Sequence, residues 1–235
     1  MPTASVTERA VPAGQRPGVG RIAVLAAGNV LLGASIGILA YGGLSNLATM
    51  MEQRNLRSAP YLAASVPKTL PATGAAPMDL EGWEAQDGAY WKALPQGGVF
   101  GRIVAPKMGL DAAVVRGTAR ADLAKGPGWI ESTDLPGAGG NTGISGHRTT
   151  FLAPFRDIDR LGTGDTIDLY SPYRRYRYEV TEQLVVTPDR VDVLDDGPQP
   201  MLTLTACHPP YSARYRLVVH ARLVEVRRIE SAGGP

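Results

Sequence analysis

Cysteine is nearly absent from this 235-residue chain, which carries only Cys207. No disulfide can form within it, and neither a cysteine zinc site nor a Cys-x-x-Cys redox pair can be assembled. An excess of charge of one sign is missing too. Against 24 basic residues stand 22 acidic ones, for a net charge of +2. That balance argues against a surface built for a polyanion, so nucleic acid is not an expected partner. No internal repeat is visible. What the chain does have is a 44% hydrophobic content, enough for one good core. Its 28 glycines and 19 prolines make up about a fifth of the residues. Val, Thr and Tyr cluster in short runs between those turn formers, the composition of an all-β domain.

One long apolar run breaks this pattern. Ile22 to Leu44 reads IAVLAAGNVLLGASIGILAYGGL, with Arg21 before it and no further charge until Glu52. At 1.5 Å per residue this stretch spans a hydrocarbon core of about 30 Å, and it exceeds the apolar region of a cleaved signal peptide, about 7 to 15 residues. A retained transmembrane helix is therefore expected over 22–44, with 1–21 as a cytoplasmic tail. Arg9, Arg16 and Arg21 precede it and Arg54 and Arg57 follow, a small bias for an N-terminus inside and the rest of the chain outside. Residues 45–96 are expected to be an extracellular linker and N-terminal appendage. Within them, Ala59 to Pro77 has four prolines and no apolar period, which suits an extended spacer. Asp79 to Lys92 regains Trp83, Tyr90 and Trp91 and is expected to pack onto the domain.

From 97 to 228 the sequence reads as one folded domain, with 229–235 as a C-terminal tail. Seven strands are predicted, at Val99–Val104, Ala112–Val115, Thr142–Ser145, Thr166–Tyr170, Tyr176–Val186, Met201–Ala206 and Tyr215–Val226. Two short helices fit around Ala119–Lys125 and Pro154–Leu161; in the second, Phe155, Ile158 and Leu161 share one face. A small, mostly antiparallel β-barrel accommodates these elements best.

The lone cysteine ends a predicted strand in TLTACHPPYSAR, where Pro209 and Pro210 stop the strand and Arg214 follows. His147 ends another strand in NTGISGHRTT. Peptide cleavage through a thioester needs a thiolate, a proton donor for the leaving amine and a positive group for the oxyanion. Cys207, His147 and Arg214 are the candidates for those roles. His208 adjoins the cysteine, but neighbours in a strand point to opposite faces, which argues against contact. His220 sits mid-strand and reads as a packing or surface residue.

The chain resembles the sortase family, most closely its class E branch. The likeness rests on GNTGISGHRTTFLAPFRDIDRL, on GDTIDLYSPYRRYRYEV and on TLTACHPPYSARYRLVVHARL, and covers about Val99 to Val226. The resemblance implies an eight-stranded β-barrel with two short helices. It implies cleavage of an LPxTG- or LAxTG-like sorting signal between Thr and Gly on secreted proteins, with transfer to an amine such as lipid II or a pilin lysine. No cofactor or metal is required by that chemistry. Two departures stand out. Ala206 replaces the threonine of the family's TLxTC motif, removing a hydroxyl beside the nucleophile and leaving an inactive, membrane-tethered binding module as the alternative. Ile130, in GPGWI, takes the place of the class E tyrosine, so Ile130, Ala206 and His208 are the expected substrate-binding residues. The L,D-transpeptidase alternative lacks its SHGC motif here, and papain-like enzymes place cysteine before histidine. Leu70, Pro71, Ala72, Thr73 and Gly74 spell LPATG, a possible self-signal within the spacer.

Overall fold

A computed structural model describes residues 19–58 and 78–229, so most of the expected spacer, including Leu70–Gly74, lies outside the described residues. Two compact units divide the chain, Met1–Gly43 and Leu44–Pro235. Helix α1, Val19–Arg57, begins in the first and ends in the second. In the first unit Leu25, Val30 and Leu39 are exposed. Among the described residues this is the one helix long and apolar enough to cross a membrane, a property that a membrane span and a signal sequence share. It does not stop at Leu44 as expected but continues to Arg57. No glycine or proline interrupts 45–58, and Arg54 and Arg57 in the last turn suit the negative end of the helix dipole.

The second unit is a closed barrel of eight strands: β1 Val99–Ala105, β2 Leu110–Arg116, β3 Gly128–Trp129, β4 Asn141–Ser145, β5 Thr166–Tyr170, β6 Arg174–Val186, β7 Met201–His208 and β8 Tyr215–Arg228. They close in the order β1-β2-β3-β4-β7-β8-β6-β5, with β5 returning to β1. Pairing is antiparallel except between β2 and β3 and between β4 and β7. The predicted strands are all present. β3, two residues long, escaped prediction because no periodicity can show in so short a piece. The first expected helix is α3, Arg120–Leu123, preceded in the chain by α2, Ala89–Ala93. The second is only a 3₁₀ turn, Ile158–Arg160. Phe155, Ile158 and Leu161 nevertheless share the core, because their i, i+3 spacing is also the repeat of a 3₁₀ turn.

Strand parity separates the two faces of the barrel wall. On β7, Leu202, Leu204 and Ala206 point into the core, as do Leu217, Val219, Ala221 and Leu223 on β8. Thr203, Thr205 and Cys207, with Arg216 and Val218, therefore point outward. Each large apolar side chain buried inside contributes roughly 1.5–3 kcal/mol. The appendage packs as expected. Trp91 stacks on Phe100, which stacks on Trp129, with centroids 5.1 and 5.0 Å apart. Behind it Arg174, fully buried, pairs with Asp87 at 2.5 Å and also donates to Gln86 Oε1 and to the carbonyls of Asp79 and Glu81.

Helix α1 beyond Gly43 docks on this unit. The short β3 leaves Ala113 on β2 without a strand partner on that side. The Gln53 side chain supplies one: its Oε1 accepts from Ala113 N at 2.9 Å, while its Nε2 donates to the carbonyls of Ala113 and Lys125 at 3.0 and 2.7 Å. Thr49 is buried, and its hydroxyl donates to the Ala124 carbonyl at 2.9 Å.

Candidate active site

The parallel pairing of β4 with β7 sets the site. Ser145 lies opposite Thr205, and Gly146 N donates to the Thr205 carbonyl at 3.0 Å. Two residues further along each chain come Cys207, still within β7, and His147, beyond the end of β4. Neighbouring strands lie about 5 Å apart, so the register delivers these two chain segments side by side at this end of the barrel wall. Cys207 lies within β7, one residue before its end, because the strand runs on to His208.

Gly146 is required for this placement. A Cβ there would lie 2.7–2.9 Å from the ring atoms of Phe155, which closes over the backbone and whose N–H donates to the His147 carbonyl. The imidazole of His147 packs beside Phe151, with ring centroids 5.1 Å apart. Burial pushes the His147 pKa below its ordinary 6.5, so the neutral ring is favoured. Its Nε2 is buried without a hydrogen-bond partner among the described residues. Buried polar atoms are normally satisfied, so a partnerless ring nitrogen in such a place suits a group that exchanges a proton with a bound molecule.

Across the hairpin the register brings forward a different arginine from the expected one. In the β7–β8 register Cys207 lies directly opposite Arg216, and paired residues present their side chains to the same face. Arg216 Nη1 donates to the carbonyls of Ala213 and Tyr215, both at 3.1 Å, which fixes the guanidinium near the turn. Arg214 instead occupies the bend before β8, exposed, with its guanidinium over the Tyr215 ring at 5.4 Å. Parity could have found Arg216 in the sequence once the strand RLVVHARL was paired with MLTLTACH; choosing the arginine nearer the cysteine ignored the turn between them.

The other expected residues separate. Ala206 is 2% exposed and faces the core, away from Cys207, because adjacent strand residues alternate. It does not line the outer face, and the missing hydroxyl is missing from the interior. His208 also leaves β7 on the side opposite Cys207. Its Nδ1 lies 2.8 Å from Arg148 Nη1. An arginine can only donate, so this nitrogen accepts and the His208 proton sits on Nε2. Arg148, buried and paired with Asp159 at 3.0 Å, thus ties the segment after His147 to the end of β7, a link the sequence did not reveal. Ile130 lies on the outer face. Its N–H donates to the Gly143 carbonyl, and its Cδ1 would lie 3.0 Å from a Cβ on Gly143, beside Thr133 and Leu194. Gly143 precedes the His147 level by four residues, about 13 Å along the strand.

Comparison with known proteins places these features in a wider group. The sortase domain model matches residues 103–224. Sortase SrtE1 of Streptomyces coelicolor is 38% identical over 113 residues, 44% of this chain and 32% of the relative. Sortase A of Streptococcus agalactiae is 28% identical over 140 residues, 57% of this chain and 56% of its own length. The chain thus spans between a third and three fifths of these curated relatives. Among solved structures, Sortase E1 of S. coelicolor with a tripeptide in its active site superposes with a TM-score of 0.56 at 32% identity, covering 61% of this chain and 98% of that one.

Proposed function

Since this chain belongs to the sortase family, its class E members included among the relatives it matches, we propose that it is a membrane-anchored cysteine transpeptidase acting on sorting signals of the LPxTG or LAxTG kind. The observation that carries the reading is the parallel register of β4 with β7, which leads His147, two residues past the end of β4, toward Cys207 on β7, with Arg216 across the hairpin.

In this reading the neutral His147 ring takes the Cys207 thiol proton as the sulfur attacks the threonine carbonyl carbon, and the carbonyl electrons move onto oxygen. The Arg216 guanidinium, held through Nη1 and with further N–H groups to offer, stabilises that oxyanion. As the tetrahedral species collapses, the Thr–Gly C–N bond breaks and imidazolium His147 gives its proton to the departing glycine amine. An acceptor amine, such as that of lipid II or a pilin lysine, then attacks the thioester carbonyl as His147 removes its proton; the C–S bond breaks, and the released Cys207 sulfur takes that proton back from His147. Ile130, Thr133 and Leu194, about 13 Å from the nucleophile, suit an apolar residue near the start of an extended five-residue signal. The apolar part of α1 serves as anchor over 22–44, with 1–21 inside and 97–228 outside as the catalytic domain.

A peptide-cleavage assay tests the reading. Wild-type protein should release the glycine-bearing fragment of an LPxTG or LAxTG peptide, and Cys207→Ala should release none while keeping its fold. Cleavage surviving in Cys207→Ala would refute the thioester route.

A further inference from the structure

Three successive non-glycine residues, Phe151, Leu152 and Ala153, have φ of 51, 63 and 46°. L-residues enter this left-handed region singly and at a cost of roughly 1–2 kcal/mol each, so a run of three persists only where its surroundings dictate it. Ala153 is buried and Phe151 lies against His147, but toward α1 the packing is open: Phe151, Leu152 and Ala153 share with Met50, Arg54 and Arg57 the lining of a cavity of about 670 Å³. A polar bond crosses to the helix. Leu152 N donates to Asn46 Oδ1 on α1 at 3.0 Å, while within the turn Ala153 N donates to the Thr150 carbonyl at 2.8 Å. The helix itself is locked to the barrel by Thr49 and by the Gln53 side chain that completes the edge of β2. One end of the turn is Phe151, the ring against His147.

We infer that the docked part of α1 positions the imidazole of His147, with Asn46 holding the 151–153 turn and Phe151 transmitting that hold to the ring. Asn46 is a positioning residue; it touches no reacting atom. Its hydrogen bond faces solvent, so water can satisfy the Leu152 N–H when Asn46 is lost. Water satisfies the donor but does not fix the turn. Stability is therefore nearly indifferent to Asn46, whereas the rate is not. Asp at position 46 keeps the accepting oxygen and preserves the hold.

This inference rests on the proposed role of His147, and the test keeps the two apart by reading the ring as well as the rate. In full-length protein in detergent micelles, the three imidazoles are followed by NMR with labelled histidine. Asn46→Ala should move the His147 resonances, through the changed position of the Phe151 ring, and leave those of His208 and His220 in place. Asn46→Asp should restore them. On a sorting peptide, Asn46→Ala should lower kcat about three- to tenfold, the scale of one neutral hydrogen bond, with KM and Tm unchanged. Combined with Phe151→Ala it should cost nothing beyond Phe151→Ala alone. Unmoved His147 resonances in Asn46→Ala, or full additivity with Phe151→Ala, would overturn the inference. Shifted His147 resonances in Asn46→Ala, beside a wild-type protein that cleaves no sorting peptide, would uphold the positioning and refute the proposed function instead.

Discussion

Exchanging each of the two neighbouring arginines decides which one serves the oxyanion. Arg216 is the register partner of Cys207 on the outward face of the β7–β8 hairpin, where paired Cα atoms lie about 4.5–5.5 Å apart. Arg214 is two residues further into the turn, roughly 7 Å along the chain, and its guanidinium sits over Tyr215. Removing an oxyanion donor costs about 10²–10³ in kcat, equivalent to about 2.7–4 kcal/mol, and Arg216→Ala should fall in that range. Arg216→Lys should recover little, since a compact ammonium does not reproduce the planar fork of donors. Arg214→Ala loses an exposed cation–π contact of about 0.5–1 kcal/mol, a contribution to local stability and not to the transition state. Its kcat should stay within about threefold of wild type on that account. A fluorogenic sorting peptide, followed to saturation so that kcat and KM separate, provides the assay. A hundredfold loss in Arg214→Ala beside a nearly active Arg216→Ala would refute the assignment by register.

Other consequences follow from particular contacts. His147 is held below its ordinary pKa by burial, so the unfolded chain binds this proton more readily than the folded one. The stability contributed by the neutral ring is present above pH 6.5 and is lost as the pH falls through the folded value. The drop in Tm from pH 7 to pH 5 should therefore be smaller in His147→Gln than in wild type, and an equal drop would contradict the burial argument. Asp87→Ala would strand a fully buried guanidinium on Arg174 and should cost about 3–5 kcal/mol in urea denaturation. A loss below about 1 kcal/mol would show that the Asp79 and Glu81 carbonyls and Gln86 suffice without the carboxylate. Ile130→Tyr should change the ratio of kcat/KM on LAxTG and LPxTG peptides, and an unchanged ratio removes Ile130 from the recognition of the signal.

Much of the barrel was legible because its strands are long enough to show alternation: MLTLTACH and YRLVVHARLVEV each bury every second residue, as their patterns announce. The level of His147 with Cys207 was not legible, since it depends on a parallel pairing between strands 60 residues apart in sequence. Arg214 was preferred over Arg216 because the turn between β7 and β8 was left out of the pairing, and Ala206 was assigned to the groove although its parity already turned it inward. The extension of α1 past Leu44 was not legible in hydropathy, which ends there while helix propensity does not. Docking of that extension depends on Gln53 and Thr49, polar residues whose partners 60 to 75 positions away leave no local trace. The 151–153 turn was equally hidden, because Phe, Leu and Ala are poor markers of left-handed backbone.

The most direct test of the central claim is the intact mass of the full-length protein after brief mixing with a sorting peptide in the absence of an added amine. The account predicts an adduct equal to the peptide up to its threonine, located by digestion on Cys207, absent from Cys207→Ala and discharged by a nucleophilic amine such as hydroxylamine. A peptide cut between Thr and Gly by the wild-type protein with no mass ever gained on Cys207, even when quenched within a single turnover, would contradict it.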